Sequence, residues 1–314
     1  MPTSLVIIVP CYNEEAILEM SKNQLVDFLN RMKAEGLATE NSKICFVDDG
    51  SKDQTWALID GFVKNNPECV GLKLSKNFGH QSAILAGMME CMNQFEAYIT
   101  IDADLQDDVE VMREMLIRHQ NGAKVVYGVR NDRSNDTFFK RFTAETFYKL
   151  MLKMGVPIVY NHADFRLMDN IVVENFSNFK EVNLFIRGII PTIGFKSEEV
   201  YYQRLERQAG ETKYPLTKML AFAWKGITSF STSPMRMVLW FGAFNFLLAL
   251  LITVYVLYSW AVGKVVIGWA STLLPMAYFS GSNMIAIGLI GEYLGRVYEE
   301  IKGRPRYIIE KRVE

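Results

Sequence analysis

Short apolar runs at 5–9, 43–47, 70–74 and 98–101 are rich in Val, Ile and Leu, and each ends at a proline, an acid or a glycine-bearing turn. Runs of this length between turn signals predict buried strands. Between them the pattern changes period. Ile17, Leu18, Leu25, Phe28, Leu29 and Met32 recur at helical spacing, with Asn13 the predicted N-cap and Gly36 the stop. A second helix carries Trp56, Ile59 and Phe62 and is capped by Asp53 or Ser51; a third follows Asn77, Phe78, Gly79 and His80 and runs through Met92. A fifth strand is predicted at 124–129, before a long helical stretch at 135–154. Strands alternating with helices in this way predict an α/β domain with a mostly parallel sheet covered on both faces.

The strand at 98–101 runs directly into Asp102, Ala103 and Asp104. Two carboxylates one residue apart then stand at the carboxyl edge of the sheet, where open α/β folds place ligands. A divalent cation on a nucleotide diphosphate favours such hard oxygen donors. Asp107 and Asp108 follow closely, and so many acids repel one another unless something cationic joins them. For Asp107, Asp108 and Glu110 the simpler reading is an acidic helix start favoured by the helix dipole. No GxGxxG follows the first strand and no GxxxxGK[ST] occurs, so dinucleotide-binding and P-loop readings lose their support.

The C-terminal third is different in kind. Residues 237–263 and 265–291 contain no Asp, Glu, Lys or Arg, and each run exceeds the roughly 20 residues that span a bilayer core. They predict a two-helix transmembrane hairpin. Lys213, Lys218, Lys225 and Arg236 precede it and Arg296, Lys302, Arg304, Arg306, Lys311 and Arg312 follow it, against Lys264 alone between the helices. That asymmetry places the N-terminal domain and both ends in the cytoplasm. Residues 215–235 are amphipathic and predict an interfacial helix on membrane lipids. Gly291 and Gly295 form a GxxxG, a candidate packing face for a homo-oligomer.

Charge and cysteine usage narrow the field further. Lys plus Arg number 34 against 35 for Asp plus Glu, so no basic field points to nucleic acid. Cys11, Cys45, Cys69 and Cys91 have no metal-ligand spacing and read as reduced core thiols; the three histidines are too scattered for a histidine-built metal site. Residues 5–9 are too short for a signal peptide.

VPCYNEE, VDDGSKDQT, KNFGHQSA and IDADLQDD, in that order, resemble the inverting family-2 glycosyltransferases of the GT-A fold. With HADFRLM, FIRGIIPTIGF, RQAGETKY and the C-terminal hairpin, the chain is similar to the bacterial polyisoprenyl-phosphate glycosyltransferases, the bactoprenol glucosyltransferase group related to dolichyl-phosphate mannose synthases. The resemblance implies a GT-A domain at 1–214, a juxtamembrane helix at 215–235, the two spans within 236–292 and a basic cytosolic tail at 293–314. It implies that Pro10, Tyr12, Glu14 and Asp49 hold the uridine of a UDP-sugar. Asp104 becomes the direct ligand of Mg²⁺ or Mn²⁺, with Asp102 beside it nearer the ribose or sugar, and Ala103 and Gln106 close to the donor. Asp164 takes the catalytic or acceptor-orienting place, its plainer alternative being an ion pair with Arg166 or another arginine. Arg204, Arg207 and Lys213 match basic positions near the phosphates, where simple attraction to anionic lipid is the alternative. The implied reaction moves one hexose, glucose or N-acetylglucosamine, from UDP to undecaprenyl phosphate at the inner (cytoplasmic) membrane. A membrane-anchored scaffold that binds nucleotide sugar without catalysis is the alternative.

Overall fold

A computed structural model of the chain describes residues 1–131, 162–182, 185–203, 233–263 and 269–314. Its strands are β1 (Leu5–Cys11), β2 (Lys43–Asp48), β3 (Cys69–Leu74), β4 (Ala97–Thr100), β5 (Val125–Arg130), β6 (His162–Asp169), β7 (Ser197–Tyr202) and β8 (Ile309–Val313). They form one eight-stranded sheet in the order β7-β5-β6-β4-β1-β2-β3-β8. β1 pairs in parallel with β2 and β4, β2 with β3, and β5 with β7, whereas β6 and β8 run antiparallel to their neighbours. This is the mostly parallel sheet that the alternation of strands and helices predicts, and its first four strands lie where the apolar runs place them.

Successive residues of β1 feed two separate cores, because side chains alternate across a strand. Leu5, Ile7 and Val9 pack with Leu25 and Phe28 of α1 (Leu18–Ala34), Ile59 of α2 (Thr55–Asn65) and Met115 of α4 (Val111–Gln120). Val6 and Ile8 pack with Leu85 of α3 (His80–Glu90), and the same core continues to Val172 of α5 (Asn170–Ser177) and Ile189 of α6 (Ile186–Thr192). All four cysteines are buried free thiols.

Several expectations need correcting. Asn13 is not the cap of α1: it adopts φ 55 and its Oδ1 accepts from Lys52 N at 2.8 Å, so the helix begins only at Leu18. An asparagine tolerates that left-handed conformation, and here it staples the turn after β1 to the turn after β2. Asp53, rather than Ser51, reaches the start of α2, accepting from Thr55 N at 3.0 Å. Asp107 is no solvated helix start; it is buried and takes bonds from Tyr202 Oη at 2.5 Å and Arg130 Nη2 at 3.1 Å. The end of the chain is not wholly a tail, since β8 adds to the sheet beside β3.

Beyond the sheet, α7 (Ser233–Ala261) and α8 (Trp269–Ile301) touch one another. Counting the described residues alone, neither helix is long and apolar enough to cross a membrane, so the hairpin expected at 237–263 and 265–291 is not shown. Their described side chains nonetheless leave Leu239, Trp240, Phe246, Leu251, Met284 and Ile285 exposed. The helix expected at 135–154, the interfacial segment up to 232, and Arg204, Arg207 and Lys213 lie outside the described residues.

Candidate active site

Parallel strands β1, β2 and β4 end together, and their following loops carry the acids to one edge of the sheet. Pro10 is buried at the end of β1 opposite Val47, and Tyr12 beyond it is exposed. Glu14 is half-buried, its backbone N–H donating to Thr55 Oγ1 at 2.9 Å. After β2, Asp49 uses both carboxylate oxygens on the loop before α3, accepting from Phe78 N at 2.7 Å and Gly79 N at 2.9 Å. Its neighbour Asp48 is fully buried and keeps Oδ2 without a partner. Sequence reasoning singled out Asp49 and passed over Asp48, although an acid at the very end of a buried strand was visible. Gly50 closes this corner: at φ 67 an added Cβ would lie 2.4 Å from the Lys76 carbonyl carbon, so only glycine lets the two loops meet.

After β4 the backbone is bent sharply. Ala103 is buried, and its carbonyl accepts from Ser21 Oγ at 2.6 Å. Leu105 holds φ 44, a strained value for a branched residue, and the turn it makes brings Gln106 Nε2 to Asp104 Oδ2 at 2.8 Å. Asp102 is half-buried beside His80, whose Nε2 lies 3.5 Å from Asp102 Oδ1 and 3.6 Å from Asp164 Oδ2. Burial, and then the charges of Asp164, Asp107 and Asp104, raise the Asp102 carboxyl above its ordinary value against the pull of His80.

Asp164 comes from β6. Its Oδ1 accepts from Arg166 Nη2 at 2.6 Å and Arg187 Nε at 3.0 Å, and its Oδ2 from Arg187 Nη2 at 2.8 Å. Burial alone would lift this carboxyl, but Arg187, the nearby His80 and Arg166 hold it well below the usual carboxylate range. His80 moves the opposite way: burial lowers it, and the nearby Asp164 and Asp102 carboxylates raise it. Arg166 is 1% exposed and leaves Nε and Nη1 without partners, a buried cation retained because Asp164 lies beside it. The ion-pair reading of Asp164 is the one the geometry shows, with Arg166 and Arg187 both on its carboxylate. His80 and Arg187 were missed as site residues; the signal for Arg187 was a lone cation in an otherwise apolar stretch, which needs an anion.

Among the described residues no three His, Cys, Asp or Glu side chains converge as a metal-binding group. The donor set still fits a hard cation on a diphosphate, which takes one or two carboxylates and completes its shell with phosphate oxygens and water. Asp104 and Asp102 are the residues that would hold it.

Residues 6–177 match the family described as Glycosyl transferase family 2. The chain is 48% identical over 306 residues to the uncharacterized glycosyltransferase YkoT of Bacillus subtilis, covering 98% of this chain and 91% of that one. It is 39% identical over 307 residues to the SfII prophage-derived bactoprenol glucosyl transferase of Shigella flexneri, covering 97% of each. Among solved structures, the mannosyltransferase PcManGT from Pyrobaculum calidifontis, in complex with GDP-Man and Mn2+, aligns over 91% of this chain and 88% of that one, with TM-score 0.48 and 13% identity. Strand-end carboxylates on a mostly parallel sheet, with a match over more than half the chain and near full-length relatives, lead to one assignment: the protein is a glycosyltransferase and belongs to glycosyl transferase family 2.

Proposed function

We propose that the protein moves a single hexose, glucose or N-acetylglucosamine, from a UDP-sugar to undecaprenyl phosphate at the cytoplasmic face of the bacterial inner membrane. The observation that carries this reading is the meeting of Asp102, His80, Asp164 and Arg187 at one sheet edge. An Asp164 held ionised by two arginines is a poor proton acceptor, which suits an acceptor that arrives already ionised. A phosphate is such an acceptor at neutral pH; a sugar hydroxyl is not. The near full-length likeness to a bactoprenol glucosyl transferase supports the same choice.

In this mechanism the lipid phosphate oxygen attacks the anomeric carbon from the face opposite the diphosphate, the bond to UDP breaks, and the configuration inverts. Asp164 fixes Arg187 and His80 beside the reacting centre, and Gln106 fixes Asp104. Mg²⁺ or Mn²⁺ on Asp104 and Asp102 would offset the charge developing on the leaving diphosphate. Pro10, Tyr12, Glu14 and the Asp48–Asp49 corner are the proposed uridine end. The uncharged runs at 237–263 and 265–291, flanked by basic residues, support membrane spans with the sheet on the cytoplasmic side. Residues 215–235 then lie at the lipid surface, and the Gly291–Gly295 pair is the proposed contact between copies.

The test uses detergent-purified protein, undecaprenyl phosphate and labelled UDP-glucose or UDP-N-acetylglucosamine, with Mg²⁺ or Mn²⁺ and a chelator control. Chelator-sensitive label in the organic phase from one donor is expected. Asp104→Asn lowers it at least about a hundredfold, the scale on which lost stabilisation of a leaving group's charge is felt, and leaves the melting temperature unchanged. Retained UDP binding without transfer from any UDP-sugar would overturn the reading in favour of a scaffold.

A further inference from the structure

The last turn of α8 reaches back to the segment that leads into α6. Both carboxylate oxygens of Glu300 accept from the backbone N–H of Val182, at 3.0 and 2.8 Å. Shortly after the helix, Arg306 Nη1 donates to the Phe179 carbonyl at 2.6 Å. The other end of the same segment is tied to the site. Ile186 N–H donates to Gln81 Oε1 at 3.3 Å, next to His80, and Arg187 grips Asp164. β8 then fixes the chain to β3, so the end of α8 is held between the sheet and the 179–182 segment. The tie persists although Glu181 stands close by, a second acid whose carboxyl is raised by burial and by the Glu300 charge.

A carboxylate placed on a backbone amide fixes a segment more firmly than a neutral acceptor would, because charge-assisted bonds are the stronger ones. What the segment carries onward is the guanidinium that sets Asp164. We propose that Glu300 is a positioning residue for the transfer reaction: through the Val182 amide it sets the approach of α6, and so the place where Arg187 holds Asp164. The inference rests on the transferase reading for its kinetic consequence. If α8 forms the second membrane span, the same tie fixes the acceptor side of the site relative to the bilayer. Tyr12 and Asp104 stand on the loops after β1 and β4, outside this chain of bonds, so donor binding is not expected to respond.

The experiment compares Glu300→Ala, Glu300→Gln, Arg187→Ala and the Glu300→Ala/Arg187→Ala double variant in the full-length protein. Glu300→Ala lowers kcat about ten- to a hundredfold, the scale of a small misplacement of a reacting group, with KM for the UDP-sugar unchanged. Glu300→Gln keeps one oxygen for Val182 and recovers most of the rate, which a general loss of folding would not allow. The double variant is no slower than Arg187→Ala alone, because residues acting in one path are not additive. Amide hydrogen exchange across 179–192 rises in Glu300→Ala and by much less in Glu300→Gln. Wild-type kcat with wild-type exchange in Glu300→Ala, or rate losses that multiply with Arg187→Ala, would overturn the proposal. Should Glu300→Ala fail to fold, Arg306→Ala cuts the neighbouring bond to Phe179 and is read by the same rates and exchange. A wild-type protein that transfers no sugar defeats the transferase reading instead, and the exchange comparison still decides whether Glu300 holds the segment.

Discussion

Asp164 and Asp169 lie at opposite ends of one strand, β6, and both are held below the usual carboxylate range by cationic partners. Their surroundings differ in how much is left over: one buried ring nitrogen of His119, Nδ1, at the Asp169 end against two guanidinium nitrogens of Arg166 at the other. Asp169 accepts from His119 Nε2 at 2.9 Å, Lys124 Nζ at 2.8 Å and Ile171 N at 3.0 Å, and in doing so caps α5. Asp164 also sits among cations, yet Arg166 behind it keeps two buried nitrogens without partners, and His80 in front of it leans equally toward Asp102. One end of the strand uses its charges to finish a helix. The other holds charge in reserve at the edge where β1, β2 and β4 deliver their acids, as a site for a charged substrate requires.

Asp164→Asn should have the largest effect, because it strikes both stability and turnover. Arg166 would lose its counter-charge in the interior, which costs about 3 kcal/mol or more, and Arg187 and His80 would lose the group that orients them. Denaturant unfolding and the label-transfer assay measure the two losses on one preparation. If Asp164→Asn proved no less stable than the corresponding change at Asp169, the contrast between the two ends of β6 would collapse.

The same contrast explains what could be read in advance. β1 to β4 were legible because each is a continuous buried run, and the DAD acids because they end one of those runs. β6 was not: HADFRLMD sets Phe165 and Leu167 on one face and the Asp164–Arg166 pair on the other, and buried charges disguise a central strand as a loop. β8 reads as a basic tail because Lys311 and Arg312 find Asp60 and Glu90 only after the chain has returned from α8 to β3. Asp164 could be named from its motif, whereas His80 and Arg187 become site residues only through contacts across the sheet edge.

A smaller effect is expected at the other end of the strand. Asp169→Ala removes the cap of α5 and the carboxylate shared by His119 and Lys124, for a loss of about 1–2 kcal/mol at neutral pH, with turnover unchanged well below the melting temperature. The pH dependence has a definite sign. A carboxyl whose folded value is depressed, here by His119, Lys124 and the Ile171 amide against the opposing effect of burial, stabilises fully above its unfolded value of about 3.9 and loses that contribution as pH falls toward the folded value. The stability gap between wild type and Asp169→Ala should therefore be constant above about pH 5 and narrow below about pH 4, as followed by thermal unfolding across that range. A gap that widened on acidification would show that Asp169 is not the ionised partner of these groups.

The finest test lies at Asp107, which stands near the working edge but is built like the structural end. It is buried, and Tyr202 and Arg130 both bond to it; the Tyr202 ring in turn packs edge-on against Phe165 at 5.5 Å between centroids. If position at the carboxyl edge were what makes an acid functional, loosening this group should hurt turnover more than stability. If the decisive property is charge held against unpartnered or shared neighbours, the reverse holds. Tyr202→Phe keeps the ring contact and removes the bond to Asp107 together with the long one accepted from Arg130 Nε at 3.4 Å, so stability should fall by about 1 kcal/mol while kcat and the KM for UDP-sugar stay close to wild type. A drop in kcat at unchanged stability would instead tie the loop after Asp104 to the reaction through β7, and place Asp107 with Asp164 rather than with Asp169.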